Sequence, residues 1–342
     1  MTGGAIESLY CEGDHNDDER AAMMRPLRWG IMSTGGIAQR FTRDLQLIDE
    51  GVAVAVGSRS MSSADRFADE FDIPHRHDSY ESLVDDPEVD VIYVATPHPM
   101  HFENGRLALE HGKAVLVEKA FTMTGDEART LVALARERGL FMMEAMWTRC
   151  LPHVKAIRDL VDAGHLGRLI SVEADHGQWF NGDPGFRLFA PELGGGALLD
   201  LGVYPISFAS MLLGPPSSVS ALIQPAFTGV DGSVSMSFGY DSGAQSTLSC
   251  TSAAKTATRA CISGTEARIE VDSNFYAPTA FTLISRDGTR ERFEFSTEGR
   301  GLHFEASEVA RCISEGLTES PLMPLDETIS IMDTMEQVLS FK

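Results

Sequence analysis

Leu27-Arg28-Trp29-Gly30-Ile31-Met32-Ser33-Thr34-Gly35-Gly36-Ile37-Ala38 is the stretch that decides the fold. Leu27 to Met32 is a short apolar run that reads as a buried strand, and after the glycine-bearing turn a helical pattern continues to about Ile48. Strand, tight turn and helix in this order open a βαβ unit, and backbone N–H groups at such a helix start can hold a pyrophosphate. The spacing approaches G-x-G-x-x-G/A, with Gly35 and Ala38 in the second and third places. Ser33 fills the first place and has to take the turn without the freedom of glycine. Ser33, Thr34, Gly35, Gly36 and Ile37 are therefore the candidate phosphate-binding turn.

The same alternation runs on downstream. Strands are expected at Gly51–Gly57, around Arg76, at Val89–Ala95, at Val115 onward and at Leu140–Met143. Helices are expected at Ser62–Phe71 (with Ser62 or Ser63 as N-cap), Ser79–Val84, Met100–Glu110 and Thr124–Arg138. Strands alternating with helices imply a doubly wound parallel sheet over residues 26–147. Upstream, residues 1–25 are polar and acidic with no apolar period, and are expected to form a disordered extension.

After Trp147 the texture changes. Helices are expected at Pro152–Ala163, within Gly194–Leu213, at Leu302–Glu315 and at Asp326–Leu339. Between them lie β-like runs at Val219–Ile223, Ser233–Phe238, Ser246–Cys250, Arg259–Ile262, Arg268–Val271, Phe281–Ile284 and Arg292–Phe295, several separated by turns such as Asp231-Gly232. Short turns between strands indicate antiparallel pairing. Residues 148–342 thus read as an α+β domain on a large, mostly antiparallel open sheet. Helices are expected to cover one face, leaving the other to pair with a second copy in a homodimer.

The formal net charge of -22 argues against nucleic acid and anionic membrane surfaces as partners, since both call for a basic face. The five cysteines are scattered without a CxxC, which disfavours a disulfide framework, and no metal site is expected. No run approaches the ~18 apolar residues of a membrane span. The start of the chain lacks signal-peptide order. A cytoplasmic protein is the expectation.

Four further stretches carry chemistry. The second strand ends in Gly57-Ser58-Arg59-Ser60, where a carboxylate would mark NAD. An arginine flanked by two hydroxyls suits the 2′-phosphate of NADP instead. Thr96-Pro97-His98-Pro99-Met100-His101 follows the next clear strand, and His98 or His101 either touches ribose or nicotinamide or caps the helix that follows. Val115-Leu116-Val117 ends abruptly in Glu118-Lys119, at a strand end where a parallel sheet binds ligands. Gly194-Gly195-Gly196 leads into Asp200 and Tyr204, four apart and so on one helical face.

Taken jointly, these motifs resemble the Gfo/Idh/MocA oxidoreductase family over nearly the whole chain after Pro26. Glu144-Ala145-Met146-Trp147-Thr148-Arg149 and Asp200-x-x-x-Tyr204 resemble its dimeric dihydrodiol dehydrogenase and NADP-dependent D-xylose 1-dehydrogenase branch. The resemblance implies a Rossmann domain plus an α/β domain, NADP as cofactor, and a sugar or diol as substrate. It places the catalytic roles on Lys119, Asp200 and Tyr204, and the pocket wall on Trp147, with Phe180, Phe275 and Tyr276 as possible extensions. Tyr204 would accept the hydroxyl proton while hydride leaves, with Lys119 lowering the cost of its ionisation. The rivals are another activity on the same fold (trans-dihydrodiol or inositol oxidation, carbonyl reduction) and a non-catalytic dinucleotide sensor. The family's proline after the lysine is Ala120 here, which leaves open whether the Lys119–Ala120 peptide is cis or trans.

Overall fold

The computed structural model describes residues 25–342. The expected N-terminal extension lies outside them except for Arg25. That residue belongs to the folded part, since its guanidinium forks onto Asp90 at 2.7 and 2.9 Å.

The first sheet is built from β1 (Leu27–Met32), β2 (Gly51–Gly57), β3 (His75–His77), β4 (Val91–Val94), β5 (Ala114–Glu118) and β6 (Met142–Ala145). Its order is β3-β2-β1-β4-β5-β6, and every pairing is parallel. This is the doubly wound Rossmann arrangement, as expected. Five helices alternate with the strands: α1 (Gly36–Leu45), α2 (Met61–Phe71), α3 (Tyr80–Val84), α4 (His101–Glu110) and α5 (Gly125–Arg138). Central strands covered on both faces must be apolar throughout, and Val91 to Val94 and Val115 to Val117 are all fully buried. The order reverses between β1 and β4, which opens a crevice at their carboxyl ends.

Helix starts follow the sequence closely. Thr124 caps α5 through its hydroxyl, which accepts the Glu127 N–H at 3.2 Å, while Glu127 reaches back to the Met123 N–H at 2.9 Å. At α2 the N-cap position is Ser60, not Ser62 or Ser63, and its hydroxyl makes no cap bond.

The second sheet has eight strands in the order β14-β13-β12-β11-β7-β10-β9-β8. They are β7 (Leu169–Gly177), β8 (Ser218–Pro225), β9 (Asp231–Gly239), β10 (Gln245–Thr251), β11 (Ala260–Gly264), β12 (Ala267–Val271), β13 (Phe281–Ser285) and β14 (Arg290–Phe293). All pairings are antiparallel except β7 with β10. β7 lies between β11 and β10, and sequence periodicity does not reveal it. The outer face is left open and is rich in Ser and Thr, with Leu222 79% exposed. The helices here are α6 (Pro152–Asp162), α7 (Val203–Leu213), α8 (His303–Ser314) and α9 (Leu325–Leu339).

A helical stretch over Pro191–Leu213 is long and apolar enough to cross a membrane, contrary to the expectation from sequence. Of its most apolar window 83% is buried inside the fold, so it is core. The stretch includes a turn of π-helix, Leu198–Gly202, immediately before α7.

Candidate active site

Strand ends of the first sheet supply a cradle. Ser33 adopts φ 111°, the region that favours glycine, and its hydroxyl accepts the Gly35 N–H at 3.3 Å. A non-glycine residue held there costs about 1–3 kcal/mol. α1 begins with Gly35 at the N-cap, no side-chain cap and no acid in its first turn. A Cβ at Gly36 would meet nothing within 4 Å. An uncapped helix start facing open space fits a dinucleotide pyrophosphate. At the end of β2, Ser58 is buried while Arg59 and Ser60 are exposed. Burial raises the pKa of the Tyr80 phenol against the nearby charge of Arg59.

The end of β4 is anchored to the end of β5. His101 is fully buried, with Nδ1 2.9 Å from Ala120 O and Nε2 2.8 Å from Thr96 O. It braces two loops, and neither bond caps the helix that follows, which starts without a side-chain cap. Thr96 is buried and bonded by Asn104 Nδ2 at 3.0 Å, and Pro97 is exposed beside it. His98 is half-buried, with Nε2 3.1 Å from Lys119 O. Burial, reinforced by His101, lowers its pKa to about 3, so it is neutral.

Glu118 and Lys119 diverge. Glu118 turns inward, where one oxygen takes the Tyr93 hydroxyl and the other the Lys119 N–H at 3.2 Å. Burial raises its pKa against the pull of Lys119. The Lys119–Ala120 peptide is cis.

Lys119 Nζ donates to Asp200 Oδ1 at 2.9 Å and to the Asp200 carbonyl at 3.1 Å, so the two sheets meet at this pair. Arg187 completes the cluster, its guanidinium forked onto both Asp200 oxygens at 2.9 Å. Burial opposes charge on Asp200, yet Lys119 and Arg187 outweigh it and hold the carboxyl well below its usual range. Lys119 is likewise raised, burial being overcome by Asp200, Tyr204 and Glu118. Both groups stay ionised across the working pH range.

Tyr204 lies under this cluster. Lys119 Nζ sits 5.0 Å from its ring centroid, and Trp147 Nε1 donates to its hydroxyl at 3.1 Å. Burial nevertheless wins over Lys119 and Trp147, and the phenol is pushed up to about 12. Lys119 therefore does not by itself make this tyrosine easy to ionise, because Asp200 has already neutralised it. Tyr276 packs beside Tyr204 at 4.8 Å and edge-on to Trp147 at 6.2 Å.

Two expected wall residues lie elsewhere. Phe275 is fully buried between Phe208 and Tyr276, which makes it core. Phe180 stacks on Phe186 and lines a cleft of about 330 Å³ with Trp179, Phe189 and Phe227, a lining that includes neither Lys119, Asp200 nor Tyr204. The three glycines also have a plainer explanation than a ligand. A Cβ at Gly196 (φ 138°) would come within 2.3 Å of Asp231, whose carboxylate caps the Leu198 N–H at 2.6 Å.

Sequence reading missed Arg187, His176 and Gln178. His176 stacks on Tyr276 at 4.2 Å and meets Tyr204 edge-on at 5.2 Å. Gln178 Nε2 lies 2.9 Å from His176 Nε2 and 3.3 Å from the Tyr276 hydroxyl. The inward alternation of β7 is confined to Val172, Ala174 and His176, too short beside Leu169 and Ile170 to mark the strand. Arg187 sits in a loop without periodicity and carried no signal.

Comparison with known proteins agrees with the fold. Residues 27–146 match the profile described as "Oxidoreductase family, NAD-binding Rossmann fold", and residues 154–270 match the GFO/IDH/MocA C-terminal domain. The chain belongs to the GFO/IDH/MocA oxidoreductase family. Among curated family members, the trans-1,2-dihydrobenzene-1,2-diol dehydrogenase of Sus scrofa is 39% identical over 325 residues, covering 91% of this chain and 96% of the relative. The Homo sapiens protein of the same name is 36% identical over 324 residues, covering 91% and 96%. Among solved structures, a 3-ketoreductase from Actinomadura kijaniata in complex with NADP superimposes with a TM-score of 0.81 at 25% identity, covering 92% and 97%. An aldose-aldose oxidoreductase from Caulobacter crescentus gives 0.84 at 23% identity, covering 93% and 97%, and shows the shared fold.

Proposed function

We propose that this chain is an NADP-dependent dehydrogenase acting on a ring-borne hydroxyl of a sugar or cyclic diol, such as the anomeric hydroxyl of xylose or glucose. One observation carries the reading: Lys119, just after β5, meets Asp200 on the π-turn and Tyr204 on α7, at the sheet edge where β1 leads into the uncapped start of α1 and β2 into Arg59. The bound dinucleotide supplies the hydride acceptor. The rest of the work belongs to the chain. Ser33 to Ile37 hold the pyrophosphate, and Arg59 with Ser58 and Ser60 holds the 2′-phosphate. Thr96, Pro97 and His98 border the ribose side. Lys119 orients the substrate oxygen, and Tyr204 takes its proton. Before that transfer the Trp147 Nε1–H steadies the phenolate that accepts the proton and becomes the neutral phenol, while Asp200 and Arg187 fix the lysine. With the alcohol's C–H electron pair gone as hydride and its O–H proton on Tyr204, the product is a carbonyl or lactone.

A second reading, trans-dihydrodiol oxidation, is favoured by a specific observation. Eight curated relatives at 36–39% identity all carry that name. The aromatic wall of Trp147, Tyr204 and Tyr276 also suits a planar ring. We further propose a cytoplasmic homodimer paired through the open face of the second sheet, which light scattering would test. The function is tested with purified protein, NADP and a panel of aldoses, trans-diols and inositols, followed by the near-ultraviolet absorbance of reduced cofactor. The aldoses or the diols should reduce NADP well above the rest. NADP binding without turnover on any of them would overturn the enzyme reading in favour of a sensor.

A further inference from the structure

We propose that His176 is a positioning residue: its Nδ1–H bonds the Leu201 carbonyl, whose helical donor is lost at Pro205, and so fixes the register at which Asp200 and Tyr204 both face Lys119. The proposal starts from Pro205. In a regular helix the Leu201 carbonyl would accept from residue 205, but proline has no N–H and its ring crowds that carbonyl. The chain responds with a widened turn over Leu198–Gly202, in which the Val203 N–H reaches back to Leu198 O and is shared with Leu201 O, leaving that carbonyl's second lone pair for another donor. Leu201 is 2% exposed, so water does not serve its carbonyl. His176 Nδ1, 3.2 Å away, does.

The tautomer is set from both sides. Nε2 accepts from the Gln178 amide at 2.9 Å, so the proton lies on Nδ1. The ring is 1% exposed, and burial with Lys119 keeps it neutral, its pKa lowered to about 4. The donor is thus permanent and does not titrate with the site. His176 reaches the π-turn from β7, a strand of the sheet, whereas Asp200 and Tyr204 are carried by the turn and the helix after it. The link therefore ties the spacing of the two catalytic groups to a rigid element. Charged and titratable groups facing Tyr204 are Glu118 at the end of β5 with Lys119 just after it, Tyr93 from β4, His176 from β7, Asp200 from the π-turn, Arg187 from the preceding loop, and Tyr276.

The test separates the donor from the ring. His176→Phe keeps an aromatic ring against Tyr276 and Tyr204 but removes the donor. His176→Asn keeps an N–H near the Nδ1 position without the ring. The phenol of Tyr204 is followed by ultraviolet titration, with Tyr204→Phe subtracted in each background, and this arm needs no turnover. His176→Phe should ionise Tyr204 at higher pH than wild type, since the phenol drifts from Lys119, while His176→Asn should restore the wild-type titration. The second arm rests on the proposed dehydrogenase reading. There kcat should fall by up to about 100-fold in His176→Phe, with NADP affinity unchanged and most of the rate recovered in His176→Asn. A wild-type titration in folded His176→Phe, or an Asn variant as impaired as the Phe variant, overturns the proposal. If His176→Phe does not fold, His176→Asn against His176→Ala decides in the same way. Absence of turnover in wild type would count against the dehydrogenase reading and leave the titration arm to judge His176.

Discussion

The two sheets place functional groups by different rules. In the six-stranded parallel sheet the topology collects them: every strand points the same way, so Ser33, Ser58, Thr96 and Lys119 all arrive at one edge simply by following a strand. In the eight-stranded sheet the strands alternate in direction, and the groups come from a face and from connections instead. His176 projects from the covered face of β7, Asp200 from a π-turn, Arg187 from a loop. The first arrangement builds a binding cradle from main chain and a few hydroxyls. The second builds a charged, aromatic reaction centre from side chains that depend on one another. Lys119 belongs to both, and Trp147, just after β6, reaches the reaction centre from the first sheet as well.

If that division is right, substitutions at the second sheet should strike turnover and spare the cofactor. Tyr204→Phe tests this most severely. Loss of a positioned acid–base group should lower kcat by roughly 10²–10⁴-fold, with the NADP dissociation constant nearly unchanged. Because burial pushes the phenol up to about 12, wild-type oxidation should also accelerate as pH rises through the alkaline range, and carbonyl reduction should stay flat until the phenol ionises. Stopped-flow turnover beside fluorescence titration of NADP reads both. A Tyr204→Phe enzyme with wild-type kcat would remove the reaction centre from this site.

The complementary change is Arg59→Asp at the end of β2. A carboxylate there repels a 2′-phosphate and can bond ribose hydroxyls. The Michaelis constant for NADP should rise about 10–100-fold, in keeping with the loss of a charge-assisted pair, with a much smaller change for NAD and little change in kcat. Equal effects on the two cofactors would show that Arg59 does not read the phosphate, and the division between cradle and reaction centre would lose its clearest marker.

The same contrast explains what sequence could show. Val91–Val94 and Val115–Val117 are buried on both faces, so their unbroken apolar runs announce parallel strands. Lys119 stands out because it ends such a run. β7 hides because Leu169 and Ile170 break the alternation, with Ile170 39% exposed, and because the inward place at 176 is filled by histidine. Asp200 and Tyr204 are visible as a spacing of four. That the turn between them is π-helical follows from where the chain can satisfy Leu201, which only the folded packing determines. Phe275 is an aromatic residue of the right kind that packs as core, since composition does not say which side of Tyr276 a ring occupies.

Glu144 on β6 tests the seam between the two halves. It is 1% exposed, one oxygen takes the Thr328 hydroxyl of α9 at 3.1 Å, and the other has no partner. Burial raises its pKa from 4.5 to about 7, against Thr328 and Arg149. A raised carboxyl pKa means the fold prefers the protonated form. The stability this contributes is whole below the unfolded value and is lost as pH climbs through the folded one. Ionising the group inside the fold then costs up to about 3 kcal/mol. Glu144→Gln removes the titration but leaves an amide N–H short of an acceptor, which costs about 1–3 kcal/mol at every pH. The variant should therefore melt below wild type in mild acid and draw level or pass it above neutrality, a relative change of about 2–4 °C per kcal/mol. Melting curves for both proteins across that range would check it. Two curves that stay parallel would mean that Glu144 does not change charge in the fold, and that the seam between the sheets holds equally well on either side of neutrality.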